Sequence, residues 1–134
     1  MFKLINILNW NYYFRKRFHL YKSRTFLQIR KNNHLIKSMK YSKLLFANLS
    51  MLDISNNCIL EVTQNISDLF NLSVLNLSGN KDICYLPPEM GLLNKLWNLS
   101  TRGCNLNEPI KTMIESKKYK TMDIIGYLKS ILEK

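Results

Sequence analysis

Three cysteines and two histidines are the residues of this 134-residue chain with the widest reach in metal and redox chemistry. A tetrahedral zinc site usually draws on close ligand pairs. Cys58, Cys84 and Cys104 form no C-x-x-C pair, and His19 and His34 lie far from the later cysteines in sequence. The odd cysteine count argues against a fully paired disulfide framework. It reads as reduced, partly buried thiols. No metal site and no cofactor are expected. A Gly-rich phosphate loop, H-E-x-x-H and G-x-S-x-G are all missing from the sequence. No catalytic residue is assigned, and the chain is expected not to be an enzyme.

The recurring polar chemistry lies in asparagine. Leu49-x-x-Leu52-x-Ile54-x-x-Asn57 returns 23 residues later as Leu72-x-x-Leu75-x-Leu77-x-x-Asn80. After 24 more residues it returns as Leu96-x-x-Leu99-x-Thr101-x-x-Cys104. A side-chain amide both donates and accepts, so it can serve the backbone groups of a turn that leaves a strand. An unsatisfied buried backbone group costs about 1–3 kcal/mol, which makes that position chemically selective. Cys104 takes the asparagine place in the third unit, with Asn57, Asn80 and an earlier Asn32 as its counterparts. This is the leucine-rich-repeat pattern.

The pattern requires particular elements. Each L-x-x-L-x-L run is expected to hold a short strand with alternate residues facing inward. Leu72, Leu75 and Leu77 are then core. A second apolar layer follows: Ile59, Val62, Ile66 and Leu69 in one unit, and Ile83, Leu86, Met90 and Leu93 in the next. Pro88 can open a short helical piece, because the first turn lacks the hydrogen bond that proline cannot donate. Upstream, Leu27-x-Ile29-x-x-Asn32-x-x-Leu35 has the spacing of a degenerate earlier unit. Downstream, Pro109 can start a helix carrying Ile110, Met113 and Ile114. Thr121 is placed to N-cap a second helix with the stripe Ile124, Ile125, Leu128, Ile131 and Leu132.

The expected fold class is therefore α/β, a short leucine-rich-repeat solenoid with a parallel concave sheet and a C-terminal helical cap. Residues 1–24 read as a basic aromatic tail outside the fold, 25–107 as repeats with the first one degenerate, and 108–134 as the cap. Period-2 alternation puts Met51, Asp53, Ser55, Val74, Asn76, Ser78, Asn98, Ser100 and Arg102 outward on the concave face. These are the candidate protein-binding residues. Trp97 is a candidate anchor, with packing beside the strand or under the cap as the favoured alternative.

The charge is divided. The chain carries a net +11, yet residues 1–52 hold 11 Lys/Arg and no Asp or Glu, while residues 53–134 hold nine of each sign. The basic signal thus belongs to the N-terminal part. Arg15, Lys16 and Arg17 with Phe14, Phe18 and Tyr21 offer an alternative function, nucleic-acid or anionic-membrane association. Within residues 1–40, 24 are Phe, Tyr, Met, Ile, Asn or Lys. A/T-rich codons encode these residues, so the bias also fits an unselected or targeting segment or a gene-model artefact. Five N-x-S/T sequons, at Asn48, Asn65, Asn71, Asn76 and Asn98, would count only in a secreted chain. Without a signal-peptide pattern or an apolar run of about 18 residues, a cytoplasmic location and no transmembrane span are expected. The protein partner and the oligomeric state are not readable from the sequence, and nucleic acid is the less favoured partner.

The segment Leu86-Pro87-Pro88-Glu89-Met90-Gly91-Leu92-Leu93 resembles the intracellular leucine-rich repeats of the Ras-suppressor class, whose unit ends L-P-x-x-I-x-x-L. The tail, through Leu99, Arg102 to Leu106, Pro109-Ile110, Ile114, Lys120-Thr121, Ile125 and Tyr127-Leu128, is similar to the C-terminal end of the family of leucine-rich-repeat-containing protein 40. The likeness covers roughly residues 49–134. It departs at Cys104, where asparagine is usual, at Tyr119, where glycine is usual, and at Lys129, where arginine is usual. The resemblance implies a non-enzymatic protein-binding scaffold with more repeats, of which this chain looks like a terminal fragment.

Overall fold

A computed structural model describes the backbone of residues 26–28 and the whole of residues 48–134. The expected tail over residues 1–24, both histidines, Asn32 and Leu35 lie outside the described residues. In chain order the elements are strand β1 (Phe26–Gln28), strand β2 (Met51–Asp53), 3-10 helix η1 (Gln64–Asp68) and strand β3 (Val74–Asn76). After these come 3-10 helix η2 (Pro88–Leu92), strand β4 (Asn98–Ser100), and helices α1 (Ile110–Glu115) and α2 (Thr121–Leu132).

The strands form one parallel sheet in sequence order, β1-β2-β3-β4. Parallel neighbours need a crossover between them, and η1 and η2 lie in the crossovers from β2 to β3 and from β3 to β4. The register follows the leucine spacing: Leu27, Leu52, Leu75 and Leu99 stand side by side. Pairing also continues past the three-residue strands. The Ile54 N–H donates to Asn76 O at 3.0 Å, and one unit on Leu77 donates to Ser100 O at 2.8 Å. Asn56 and Gly79 repeat the same step, to Ser78 O at 2.7 Å and Arg102 O at 2.8 Å.

One apolar core runs through the units. Leu72, Leu75 and Leu77 are fully buried, and so are Ile83, Met90, Leu93 and Leu96. Each such side chain is worth about 1.5–3 kcal/mol relative to exposure. All eight residues of the expected outer layers, Ile59, Val62, Ile66, Leu69, Ile83, Leu86, Met90 and Leu93, are buried. η2 starts at Pro88 as expected and buries Met90 and Gly91.

α2 packs against η2 with Ile124, Ile125 and Leu128 buried. Ile131 and Leu132 share the expected stripe but stay about 40 % exposed, because they lie in the last turn of the helix. Thr121 does not N-cap this helix. Lys120 holds that place, and the Asp123 carboxylate accepts the Lys120 N–H at 2.7 Å. The Thr121 hydroxyl instead accepts the Leu99 N–H at 3.3 Å, on the strand that ends the sheet. An edge N–H that would otherwise face solvent is thereby covered.

Gly126 lies on the exposed side of α2, and a methyl group there would meet nothing within 4 Å. Gly126→Ala is expected to raise stability by about 0.5–1 kcal/mol, the cost of glycine in a helix interior. The midpoint of a urea melt reads this directly. A lower midpoint would mean that α2 is not formed as described.

Candidate protein-binding face

The outward residues of the strands fall into rows because parallel register places equivalent positions side by side. Met51, Val74 and Asn98 form one row, and Asp53, Asn76 and Ser100 the next. Ser55, Ser78 and Arg102 continue the order where Asn56 and Gly79 extend the pairing. The residues between these rows, Leu52 and Leu75, are buried. Met51 and Arg102 are exposed, and the other seven outward residues are half-buried. The structure therefore brings together all nine positions expected on one face.

Two of these side chains also hold the backbone behind them. Asp53 Oδ1 accepts the Ser55 N–H at 3.0 Å, and Asn76 Oδ1 accepts the Ser78 N–H at 3.1 Å. These local turns fix the direction in which the chain leaves the sheet. In the third unit Ser100 stands at that position.

The turn itself rests on a device that the repeat spacing does not show. Asn56, Gly79 and Gly103 all adopt positive φ, at 53°, 77° and 79°. Each stands one residue before the ladder positions Asn57, Asn80 and Cys104. Glycine and asparagine tolerate that conformation best, so the recurrence of Asn, Gly and Gly was the available signal.

Behind the turn, Asn80 is fully buried. Its amide donates to Leu77 O at 2.6 Å in its own unit and to Ile54 O at 3.0 Å in the preceding one. Its carbonyl accepts the Ile59 N–H at 3.2 Å, also from the preceding unit. Asn57 donates to Ile54 O at 2.8 Å and Ser55 O at 3.0 Å. At Cys104 the thiol points to Leu77 O at 3.3 Å, the repeat equivalent of Ile54 O. One inter-unit bond of the ladder is thus kept by a weaker donor. Burial pushes the Cys104 thiol up, and the hydrogen bond from the Asn80 backbone opposes this more weakly. Burial prevails, so the neutral, donating thiol is favoured at neutral pH.

Two expectations are corrected. Cys58 and Cys84 are exposed, and only Cys104 is half-buried. Each of the first two stands next to an isoleucine, Ile59 or Ile83, that takes the core position itself. Trp97 is 64 % exposed, not packed beside the strand or under the C-terminal helices. Leu96 fills the core there, and Trp97 occupies the outer position held by Ser50 and Ser73 in earlier units. Its N–H continues their row to Ser73 O at 3.0 Å. Among the described residues, no helix is long and apolar enough to cross a membrane.

No protein-family profile matches the chain. Over 92 residues it is 47 % identical to leucine-rich repeat serine/threonine-protein kinase 1 of Caenorhabditis elegans. The match takes in 69 % of this chain and 4 % of that protein, so the chain spans a small fraction of its relative's length. The likeness reaches leucine-rich-repeat proteins in general and does not single out the Ras-suppressor class or the family of leucine-rich-repeat-containing protein 40. Its α/β fold with parallel sheet and its similarity in sequence relate the chain to a leucine-rich-repeat protein.

Proposed function

We propose that the chain is a non-catalytic protein-binding module of the cytoplasm, and that the outward face of its sheet is the binding surface. In this reading the units form a short solenoid over residues 25–107. The face is its concave side, residues 108–134 cap its C-terminal end, and the whole is part of a longer scaffold of the Ras-suppressor kind. The carrying observation is the register that lines up Met51 with Val74 and Asn98, and Asp53 with Asn76 and Ser100. That arrangement presents methyl groups, amides, hydroxyls and a charge on a rigid backbone, a mixture that suits a peptide or a protein surface. The kinase named in the relative belongs to a protein of which this chain spans 4 %.

A photo-crosslinking side chain placed at Asn76 tests the face, with Leu60 as control because it is 68 % exposed and lies outside these rows. In cell extract, a crosslinked protein is expected from position 76 and not from position 60. Val74→Arg is expected to abolish it while leaving the urea midpoint unchanged. A crosslink that survives Val74→Arg would overturn the reading. So would recovery of the same partner by a peptide of residues 1–24 alone.

A further inference from the structure

At the β4 end of the sheet, one hydrogen bond brings a lysine-rich loop to the edge strand of the proposed binding face, and exposed aromatic residues lie nearby in sequence on both segments. The bond from the Leu99 N–H to the Thr121 hydroxyl brings the end of the preceding loop to the free edge of β4. That loop, residues 116–120, carries Lys117, Lys118 and Lys120 and no acidic residue. Lys117 turns the backbone at φ 54°, which keeps the loop tight. All three lysines are exposed, as is Arg102, three residues beyond Leu99 in the last row of the face. Two carboxylates flank the loop: Glu115 is exposed beside its start, and Asp123 is engaged with the Lys120 N–H, so three lysines face one uncommitted acid. Trp97, two residues before Leu99, is 64 % exposed, and Tyr119, two residues before Thr121, is 49 % exposed.

We propose that this corner holds an acidic peptide segment of a protein partner. An apolar side chain of that segment lies against Trp97, and its carboxylates face Arg102, Lys117, Lys118 and Lys120. The proposal rests on the outward face being the binding surface and names the chemistry of its partner. Exposed tryptophan, tyrosine and arginine are the side chains that most often anchor interfaces. Charge complementarity selects the partner's sign. It also favours a peptide over a nucleic acid. The cluster is local, since residues 53–134 carry nine charges of each sign, and a phosphate backbone is held by an extended positive track. The neighbouring Asn76, Asn98 and Ser100 offer neutral hydrogen bonds of the kind a peptide backbone uses.

The test selects random peptides displayed on phage against the full chain and measures fluorescein-labelled copies of the enriched sequences by anisotropy. A uridine oligonucleotide is measured beside them. The enriched peptides are expected to combine Asp or Glu with an aromatic or branched aliphatic residue. Lys117→Glu, Lys118→Glu and Lys120→Glu together are expected to weaken binding at least about tenfold, and Trp97→Ala by a similar factor. All four residues are exposed, so unchanged urea midpoints show that the fold is intact. The inference is overturned if no peptide is enriched, if enriched peptides lack acidic residues, or if they survive the charge reversal. It is overturned equally if the oligonucleotide binds as tightly with the same dependence on these residues. Loss with Val74→Arg but not with the charge reversal would leave the face as the site and remove only this corner. Loss with the charge reversal but not with Val74→Arg would remove the face and leave the corner alone.

Discussion

Asn80→Ala is expected to lower stability by about 3–5 kcal/mol, a large share of the roughly 5–15 kcal/mol typical of a folded domain. The side chain is fully buried and makes three hydrogen bonds, to Leu77 O, Ile54 O and the Ile59 N–H. Truncation leaves two carbonyls and one N–H without this partner at a site water does not reach. Each stranded group costs about 1–3 kcal/mol. The carbonyls suffer less, because Ile54 O keeps the Asn57 amide and Leu77 O keeps the Cys104 thiol, so the Ile59 N–H is the group left stranded. Two of the three bonds join neighbouring units, so the loss is expected to spread to the preceding turn. Asn80→Cys is an internal comparison, since a thiol at the equivalent Cys104 keeps the bond to Leu77 O. The expected order of urea midpoints is wild type, then Asn80→Cys, then Asn80→Ala. An alanine variant within about 1 kcal/mol of wild type would show that the turn finds other partners.

Much of this was legible in the residues, and the limits have physical causes. Period-2 spacing announced Leu52, Leu75 and the nine outward positions, because a strand leaves one choice of face per residue. The outer layer from Ile59 to Leu93 was equally plain, since apolar side chains have one favourable destination in a structure of this kind. The spacing was blind to conformation. Asn56, Gly79 and Gly103 share a positive φ that hydrophobic pattern cannot encode. Nor could it assign hydroxyl partners. Thr121 has the sequence signature of an N-cap, but its oxygen accepts the Leu99 N–H, and the helix start is held by Asp123. Which aromatic rings stay outside was also hidden. Trp97 follows a leucine that fills the core, and hydrophobicity alone does not say which of two adjacent apolar residues takes the interior place. The outward positions themselves were legible only as a surface, because what a surface binds depends on shape and charge contributed by distant segments such as residues 116–120.

In the sequence Gly91 is one residue of a short helical piece, yet the packing of α2 depends on it. A methyl group there would meet the Lys129 backbone nitrogen, with the Lys129 Cα at 2.5 Å and its Cβ at 2.8 Å. Real Cβ atoms essentially never approach another heavy atom within 3.0 Å. The obstacle is helix backbone, so no rotamer change relieves it and α2 must shift as a unit. The equivalent residue one unit earlier is Ser67, in η1, where α2 does not pack in the same way. Gly91→Ala is expected to cost about 2–4 kcal/mol, the overpacking cost plus part of the burial of Ile124, Ile125 and Leu128. The loss is expected to be local first. In hydrogen exchange, amides of α2 should lose protection while those of β3 keep theirs, because an undocked terminal helix opens without unfolding the sheet. The Leu99 N–H should exchange faster as well, since it loses the Thr121 hydroxyl when α2 moves. Lys129→Ala is not expected to rescue the variant, because the clashing nitrogen and Cα remain. Rescue by Lys129→Ala, or uniform loss of protection across sheet and helix, would show that close approach of α2 to Gly91 is not what the glycine serves.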